Sequence, residues 1–325
     1  MKKSVVLIVT NEDDPHVDYL MPMIEAEGVE YFRFNTETFP TLIDASIAIT
    51  NKKIEGVIKD SFGRSLTLDQ IVSVWYRRPM DARPDQGISA ETSRDFVIKE
   101  SREFTESLWF QIDSLWVNHP YKLRKASRKI QQLKVARQVG WEIPLTLVSN
   151  DIAEVRQFVE KNSEVVVKTL FNQFVVSGEE YKSFFTHALN SADGARLRDV
   201  KLCPCIFQET VRKTLELRIT VIGNEVFAAA LDTQKSPRAK DDWRRAANER
   251  IPCEEFKLPA EISEKSLAIV RAFDLYFASM DVILTPEGRY VFLDLNPNGQ
   301  WLWVELETGM PMAEHFARLL ANTKK

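Results

Sequence analysis

The stretch Phe277–Trp301, FASMDVILTPEGRYVFLDLNPNGQW, limits the possible folds of this chain more than any other. An apolar run ends at Leu284, Thr285-Pro286-Glu287-Gly288 supplies turn chemistry, and a second run continues from Arg289 to Leu295, which predicts a β-hairpin. With those four residues as the loop, Leu284 pairs with Arg289 and Asp281 pairs with Phe292. Side chains alternate across a strand, so one face carries Met280, Val282, Leu284, Val291, Leu293 and Leu295. The other carries Asp281, Ile283, Tyr290, Phe292, Asp294 and Asn296. A slip of one residue would mix the two sets, so the hydrophobic pattern favours this pairing. Two carboxylates and an amide oxygen then converge on one face. Oxygen donors of that kind suit Mg²⁺ held together with phosphates. A polar outer face that binds nothing would show the same alternation, so the rest of the chain has to decide.

The chain has 325 residues, enough for two or three domains with cores of their own. A net charge of −4 argues against a general nucleic-acid binder. The N-terminal apolar run covers only Val5–Val9 and meets an acidic cluster, so it reads as a buried strand rather than a secretory signal. No stretch is long enough to span a bilayer, and no membrane role is expected. Three cysteines, Cys203, Cys205 and Cys253, form no disulfide framework and suit a reducing cytoplasm. The four histidines are scattered, so neither a zinc site nor a Cys–His nucleophile pair is visible.

Residues 1–120 read as an α/β domain. Strands are expected at Val5–Thr10, Glu30–Asn35, Gly56–Ser61 and Ile71–Tyr76, with a helix over Val17–Glu27 closed by Gly28 and a long helix from about Ser93 to Ser114. Strands alternating with helices imply a partly parallel sheet. No glycine fingerprint follows the first strand, which excludes a dinucleotide-binding unit. Arg77 and Arg78 end a strand, where they either meet an anionic ligand at the carboxyl edge or are simply solvated.

After Asn118-His119-Pro120, Lys129 precedes an amphipathic helix whose apolar positions are Ile130, Leu133, Val135, Ala136 and Val139, ending at Gly140. A helix over Asp151–Lys161 and a β-branched strand, Ser163–Leu170, follow. Lys168 is embedded in that strand, and a lysine there is either at an exposed end or paired with an anion such as phosphate. Tyr181–Leu189 reads as helical and Ser191–Arg198 as polar loop. Leu202–Thr210 is a strand with Gln208 and Glu209 at its far end. Leu215–Ile222 and Glu225–Asp232 form a hairpin about Gly223-Asn224. Its first arm places Glu216, Arg218 and Thr220 on one face. The connection Thr233–Ile251 interleaves basic residues with Asp241 and Asp242 and carries Trp243, an aromatic expected to anchor a contact. Helices are expected at Ser263–Tyr276 and Met312–Ala321.

Four features therefore occur in order: Lys129 before a helix, Lys168 in a strand, Gln208-Glu209 at a strand end, and Asp281, Asp294 and Asn296 on a hairpin. Together they describe a nucleotide site with two cations for phosphates, a hinge for the adenine edge and Mg²⁺ ligands. At this point the chain resembles the ATP-grasp superfamily. EVVVKTL resembles its lysine strand, IFQET its adenine hinge, and DVILTP…YVFLDLNPNG its metal hairpin. VWYRRP, LELRITVIGNEVFAAALD, DDWR and DLNPNGQWLW are similar to the graspetide, microviridin-type peptide macrocyclases. Two departures stand out. The hairpin's last acid is Asp294 where the superfamily usually has Glu, and the loop after Lys168, FNQFVVSGEE, holds a single glycine.

The resemblance implies an α/β (α+β) fold with three domains: 1–120 N-terminal, 121–205 central and 206–325 C-terminal, with ATP between the last two. It implies an ATP- and Mg²⁺-dependent ligase that joins Asp or Glu side chains of a precursor peptide to its Ser, Thr or Lys side chains through an acyl phosphate. Lys129, Lys168, Gln208 and Glu209 would bind ATP. Asp281, Asp294 and Asn296 would hold metal, and Arg218 would face the acyl phosphate. Arg77, Arg78, Asp242, Trp243, Arg244 and Gln300 are candidates for contacts to a peptide with a leader and an acidic core. A cytoplasmic homodimer is also implied. The alternatives are a ligase that adds an amino acid to a peptide or protein terminus, a phosphoryl transferase acting on a hydroxyl, and a non-catalytic nucleotide- or peptide-binding module.

Overall fold

A computed structural model describes residues 4–171, 174–177, 180–183, 186–189, 191–233 and 251–322. The chain divides into two compact units. The first takes the chain up to Pro120, then Leu275–Phe277 and the segment from Pro311 onward; the second takes Tyr121–Asp274 and Ala278–Met310.

The first unit is built on a parallel sheet in the order Glu30–Asn35, Val5–Thr10, Ile71–Tyr76, Leu115–Val117. All six residues of Val5–Thr10 are buried, because a central parallel strand is covered on both faces. The helix Pro15–Ala26 starts where Asp14 caps the His16 N–H and proline occupies the first turn. A second helix, Glu91–Trp109, is shorter at its end than the apolar spacing suggests, and Leu108 and Trp109 enter a core with Leu7, Val9, Phe34 and Trp116. An antiparallel sheet of Ile43–Ile49, Ile54–Asp60 and Ser65–Thr67 also belongs to this unit. Its first strand was not expected from the sequence, because Asp44 and Ser46 interrupt the apolar residues on the exposed face.

The chain returns to this unit at its end. Helix Met312–Ala321 sets Phe316 against Trp75 at 5.0 Å and against Phe277 at 5.3 Å between ring centroids. Ser73 Oγ donates to the Leu320 carbonyl at 2.6 Å. Asn118 Oδ1 accepts the Tyr276 and Phe277 N–H groups while its Nδ2 donates to the Phe277 carbonyl.

Among the described residues, the second unit contains the two-stranded pair Phe174–Ser177 and Glu180–Ser183 and two larger sheets. One has the order His187–Ala188, Val165–Lys168, Cys205–Glu209, Thr146–Ser149, antiparallel throughout. Helix Ile152–Lys161, capped by Asp151, buries Val155 with Val165, Val200 and Phe207. The other sheet has the order Cys253–Glu255, Glu225–Leu231, Leu215–Ile222, Phe277–Leu284, Tyr290–Asn296. Helix Lys129–Gln138 packs on its last strand, and helix Ala260–Ala272 packs on the Leu215–Ile222 strand.

Three expectations are corrected here. Where a helix over Tyr181–Leu189 is expected, the described residues form strands: Glu180–Ser183 pairs with Phe174–Ser177, and His187–Ala188 pairs with Val165–Lys168. Cross-strand hydrogen bonds supply there what an isolated turn of helix could not. Ser191–Leu202 forms a 3₁₀ helix instead of loop. The terminal hairpin also has a different register. Gly288, at φ +79°, closes a three-residue loop by donating to the Thr285 carbonyl, so Leu284 pairs with Tyr290 rather than Arg289. A bulge at Leu293 then sets Asp294, rather than the expected Phe292, opposite Asp281. Phe292 consequently pairs with Val282, on the opposite face from Asp281.

Among the described residues no helix is long and apolar enough to cross a membrane. The described cysteines, Cys203, Cys205 and Cys253, are all free thiols.

One buried polar cluster anchors the first unit. Asp14 and Arg77 are 0% and 1% exposed and lie 3.8 Å apart, with His16 and Thr10 beside them. Burial raises the Asp14 pKa, but the His16 and Thr10 hydrogen bonds and the Arg77 charge outweigh it and hold the carboxyl below its ordinary value. A depressed carboxylate stabilises the fold above its unfolded pKa, and that contribution is lost as pH falls through the folded value. Arg77→Met strands a buried carboxylate and should cost about 3–5 kcal/mol at neutral pH in urea unfolding. The gap between variant and parent should narrow as pH falls below the ordinary carboxylate value of 3.8. A gap independent of pH would show that the pair contributes through packing alone.

Candidate active site

The terminal hairpin holds the centre of the site. Asp281 and Asp294 are direct cross-strand partners, and Ser279 is opposite Asn296, so the two carboxylates and the amide share one face. Each carboxylate is already met by a cation from a different element. Lys129, the first residue of helix Lys129–Gln138, donates from Nζ to Asp294 Oδ1 at 2.7 Å. Arg218, in the strand Leu215–Ile222, donates from Nη1 to Asp281 Oδ1 at 2.8 Å. The formal charges of these four side chains cancel. Side-chain exposures of 29% for Asp294, 23% for Lys129 and 21% for Asp281 leave the cluster open to a ligand, whereas Arg218 is 7% exposed.

Arg218 is held by two hydrogen bonds, the first being that to Asp281. Its Nη2 donates to the Gln300 carbonyl at 3.3 Å, and its buried Nε has no hydrogen-bond partner. Gly299 permits this approach. A Cβ there would lie 2.7 Å from Ser279 Cβ and 2.9 Å from Arg218 Nη2, so any other residue would push the segment away. Thr220 and Ser279 share a buried hydroxyl contact of 3.2 Å. Glu216, a possible partner for Arg218 in the sequence, pairs instead with Lys213 at 2.7 Å.

A second cluster lies in the four-stranded sheet. Lys168 pairs with Ile206 and Gln208 with Val166, so Lys168 and Gln208 are diagonal neighbours on one face. Lys168 Nζ donates to Gln208 Oε1 at 2.7 Å, and Gln208 Nε2 donates onward to Thr146 Oγ1 at 3.0 Å. Gln208 is 2% exposed, so its side chain orients the lysine from within the sheet. Glu209, on the opposite face, accepts the Leu145 N–H through Oε1.

The remaining expected residues are dispersed. Arg77 is buried with Asp14 in the first unit, while Arg78 is exposed and its carbonyl accepts from Asn11 Nδ2 at 2.7 Å. Gln300 is exposed and enters the site through its carbonyl. Asp242, Trp243 and Arg244 lie outside the described residues.

The sequence reading missed Gln132. It is 3% exposed, whereas Ile130, expected on the apolar face, is 57% exposed. The signal was a glutamine three residues after Lys129, on the same helical face, but helical periodicity counts apolar residues and passes over a buried amide.

The donor set fits a hard divalent cation. Two carboxylates and an amide face one another across the hairpin, and among the described residues no group of three or more His, Cys, Asp or Glu forms an all-protein cage. Such a set suits an ion that keeps the rest of its shell for water and phosphate oxygens.

The comparisons with known proteins agree with this geometry. Residues 4–124 match the MvdD pre-ATP grasp domain family, and residues 126–320 match the RimK-like ATP-grasp domain family. None of the curated proteins matches. Among solved structures, the macrocyclase MdnC bound with precursor peptide MdnA, from Microcystis aeruginosa MRC, is 31% identical, with a TM-score of 0.86 over 98% of this chain and 99% of that one. A RiPP-associated ATP-grasp ligase from Chryseobacterium gregarium, in complex with ADP and a leader and core peptide, is 27% identical, with a TM-score of 0.92 over 99% and 98%. The macrocyclase MdnB from Microcystis aeruginosa MRC is 27% identical, with a TM-score of 0.79 over 98% and 99%. With an α/β fold, the RimK-like domain match over most of its length and full-length similarity to MdnC, this chain belongs to the ATP-grasp ligase family, in its graspetide macrocyclase group.

Proposed function

We propose that the protein macrocyclises a ribosomal precursor peptide, using ATP to join Asp or Glu side chains to Ser, Thr or Lys side chains. The observation that carries this reading is the charge-balanced quartet of Lys129, Asp294, Asp281 and Arg218 across one hairpin. In the three-domain division given above, ATP occupies the space between residues 121–205 and 206–325. The free thiols support a reducing cytoplasm, and a homodimer is proposed from the resemblance alone.

A carboxylate is a poor electrophile at neutral pH. Its oxygen attacks the γ-phosphorus of ATP, the bond to the β–γ bridging oxygen breaks, and ADP leaves. The resulting acyl phosphate is then attacked by a hydroxyl or amine of the same peptide. The acyl–oxygen bond breaks, phosphate departs, and one proton is lost from the nucleophile. Each ring removes one water from the peptide. The protein contributes position and charge rather than a covalent intermediate.

Lys129 and Lys168 bind phosphate oxygens. Gln208 keeps Lys168 directed along its strand, and Glu209 with Gln208 forms the adenine hinge. Asp281, Asp294 and Asn296 hold Mg²⁺, which when bound neutralises charge on the transferred phosphoryl group. Arg218 faces the acyl phosphate, held by Asp281 and the Gln300 carbonyl so that little reorganisation remains at the moment of reaction. An acidic core peptide gives Arg78 and Arg244 carboxylates to bind bidentately, with Asp242, Trp243 and Gln300 as further candidate contacts, whereas Arg77 is buried against Asp14 and is not among them.

A precursor peptide rich in Asp, Glu, Ser, Thr and Lys, incubated with the protein, ATP and Mg²⁺, should lose one water per ring as read by mass spectrometry. Arg218→Met should lower kcat on the order of 10²–10³-fold. A product heavier by an amino acid or by a phosphoryl group would replace this reading.

The quartet also predicts coupled binding. A bare Mg²⁺ meets Lys129 and Arg218 at the carboxylates it needs, whereas Mg²⁺ with a polyphosphate brings the anions that occupy those cations. Calorimetry should show weak Mg²⁺ binding alone and strong binding with ADP present. Equal Mg²⁺ affinity in both conditions would contradict the shared seat.

A further inference from the structure

Strand Tyr290–Asn296 is the edge of its sheet, so alternate residues direct backbone N–H and C=O groups away from any neighbouring strand. Buried backbone groups need partners, and an exposed edge pairs readily with other chains. Two residues from much earlier in the chain pair with parts of this edge. The Glu142 carbonyl accepts the Phe292 N–H at 2.8 Å. Further along, the Gln132 side chain does what a strand's peptide group would do. Its Nε2 donates to the Leu295 carbonyl at 2.6 Å, and its Oε1 accepts the Leu295 N–H at 3.2 Å. The second Nε2 hydrogen reaches the Ala126 carbonyl at 2.7 Å, just before the helix that carries Lys129.

Leu295 lies between Asp294 and Asn296, and the bulge at Leu293 interrupts cross-strand pairing immediately before Asp294. The ladder therefore supports this part of the hairpin least where the carboxylate needs most control. Gln132 is one turn along the helix from Lys129, so a single amide ties Lys129's helix to the backbone between two metal donors.

We propose that Gln132 is a positioning residue that sets the Mg²⁺ affinity of the nucleotide complex by fixing Asp294 and Asn296 relative to Lys129. This rests on the reading of Asp281, Asp294 and Asn296 as the metal seat. Groups that orient metal ligands from outside the coordination shell typically alter metal affinity on the order of 10–100-fold when changed.

The test uses Gln132→Met, which keeps volume but loses all three hydrogen bonds, and Gln132→Glu, which keeps shape and acceptors but loses the donors. Val135→Ala, a buried change in the same helix, serves as the control for general destabilisation. The measurement is the Mg²⁺ concentration that half-saturates ADP binding by calorimetry, with ADP binding in EDTA and Tm measured alongside. Both Gln132 variants should raise the half-saturating Mg²⁺ on the order of 10–100-fold with ADP binding in EDTA unchanged, and Val135→Ala should lower Tm without raising it. An equal rise in Val135→Ala and Gln132→Met, or no rise in either Gln132 variant, would overturn the proposal. If the parent protein itself bound ADP without any Mg²⁺ dependence, the metal-seat reading would fall first.

Discussion

The ion pairs Lys129–Asp294 and Arg218–Asp281, bound to facing residues of one hairpin, set the condition the second unit has to meet. Two carboxylates directly opposite on adjacent strands repel each other. Each is compensated by a cation from a different part of the chain, one from a helix N-terminus and one from the neighbouring strand. The hairpin can keep its acids together only while the helix Lys129–Gln138 and the strand Leu215–Ile222 stay in place. Stability and ligand capacity therefore depend on the same four side chains. Their charges cancel without ligand, and they suit a metal–polyphosphate complex that brings charges of both signs.

Much of the surrounding structure serves that geometry. Gly299 lets the Gln300 carbonyl reach Arg218, and no side chain would fit in its place. Gln132 and Glu142 pair with parts of the open edge of the strand that carries Asp294. The bulge at Leu293 deserves weight because it costs a ladder position, and its effect is to bring Asp294 opposite Asp281 after a turn that would otherwise set them off by one. In the other sheet, Gln208 holds Lys168 through a buried amide. The polar residues of the site are placed by other polar residues through hydrogen bonds in a partly buried setting.

How much of this was legible in the sequence depended on the interaction involved. Strands such as Val5–Thr10 and Leu215–Ile222 were readable because burial imposes a periodic or continuous apolar signal. Asp281, Asp294 and Asn296 were correctly assigned to one face, although the pairing nearer the turn was wrong. The sequence shows a turn at Pro286-Glu287-Gly288 but not that Gly288 would close it one residue short and a bulge would compensate. Gln132 was invisible for a related reason, since its three partners are backbone groups and backbone carries no sequence signature. Arg77 and Arg78 are equivalent in sequence pattern. A neighbouring Asp14, brought in by the loop after the first strand, buries one and leaves the other exposed. The weakly patterned Tyr181–Ser183 and His187–Ala188 pair with neighbouring strands, as short segments without strong local preference do.

In the proposed reaction the site activates a carboxylate by phosphorylating it. The most direct test labels the Asp and Glu carboxylates of the precursor peptide with ¹⁸O and examines the inorganic phosphate released during cyclisation. An acyl phosphate transfers one carboxylate oxygen to phosphate for every ring closed, so one ¹⁸O per ring should appear there. Phosphate released without label, while rings continue to form, would contradict the account.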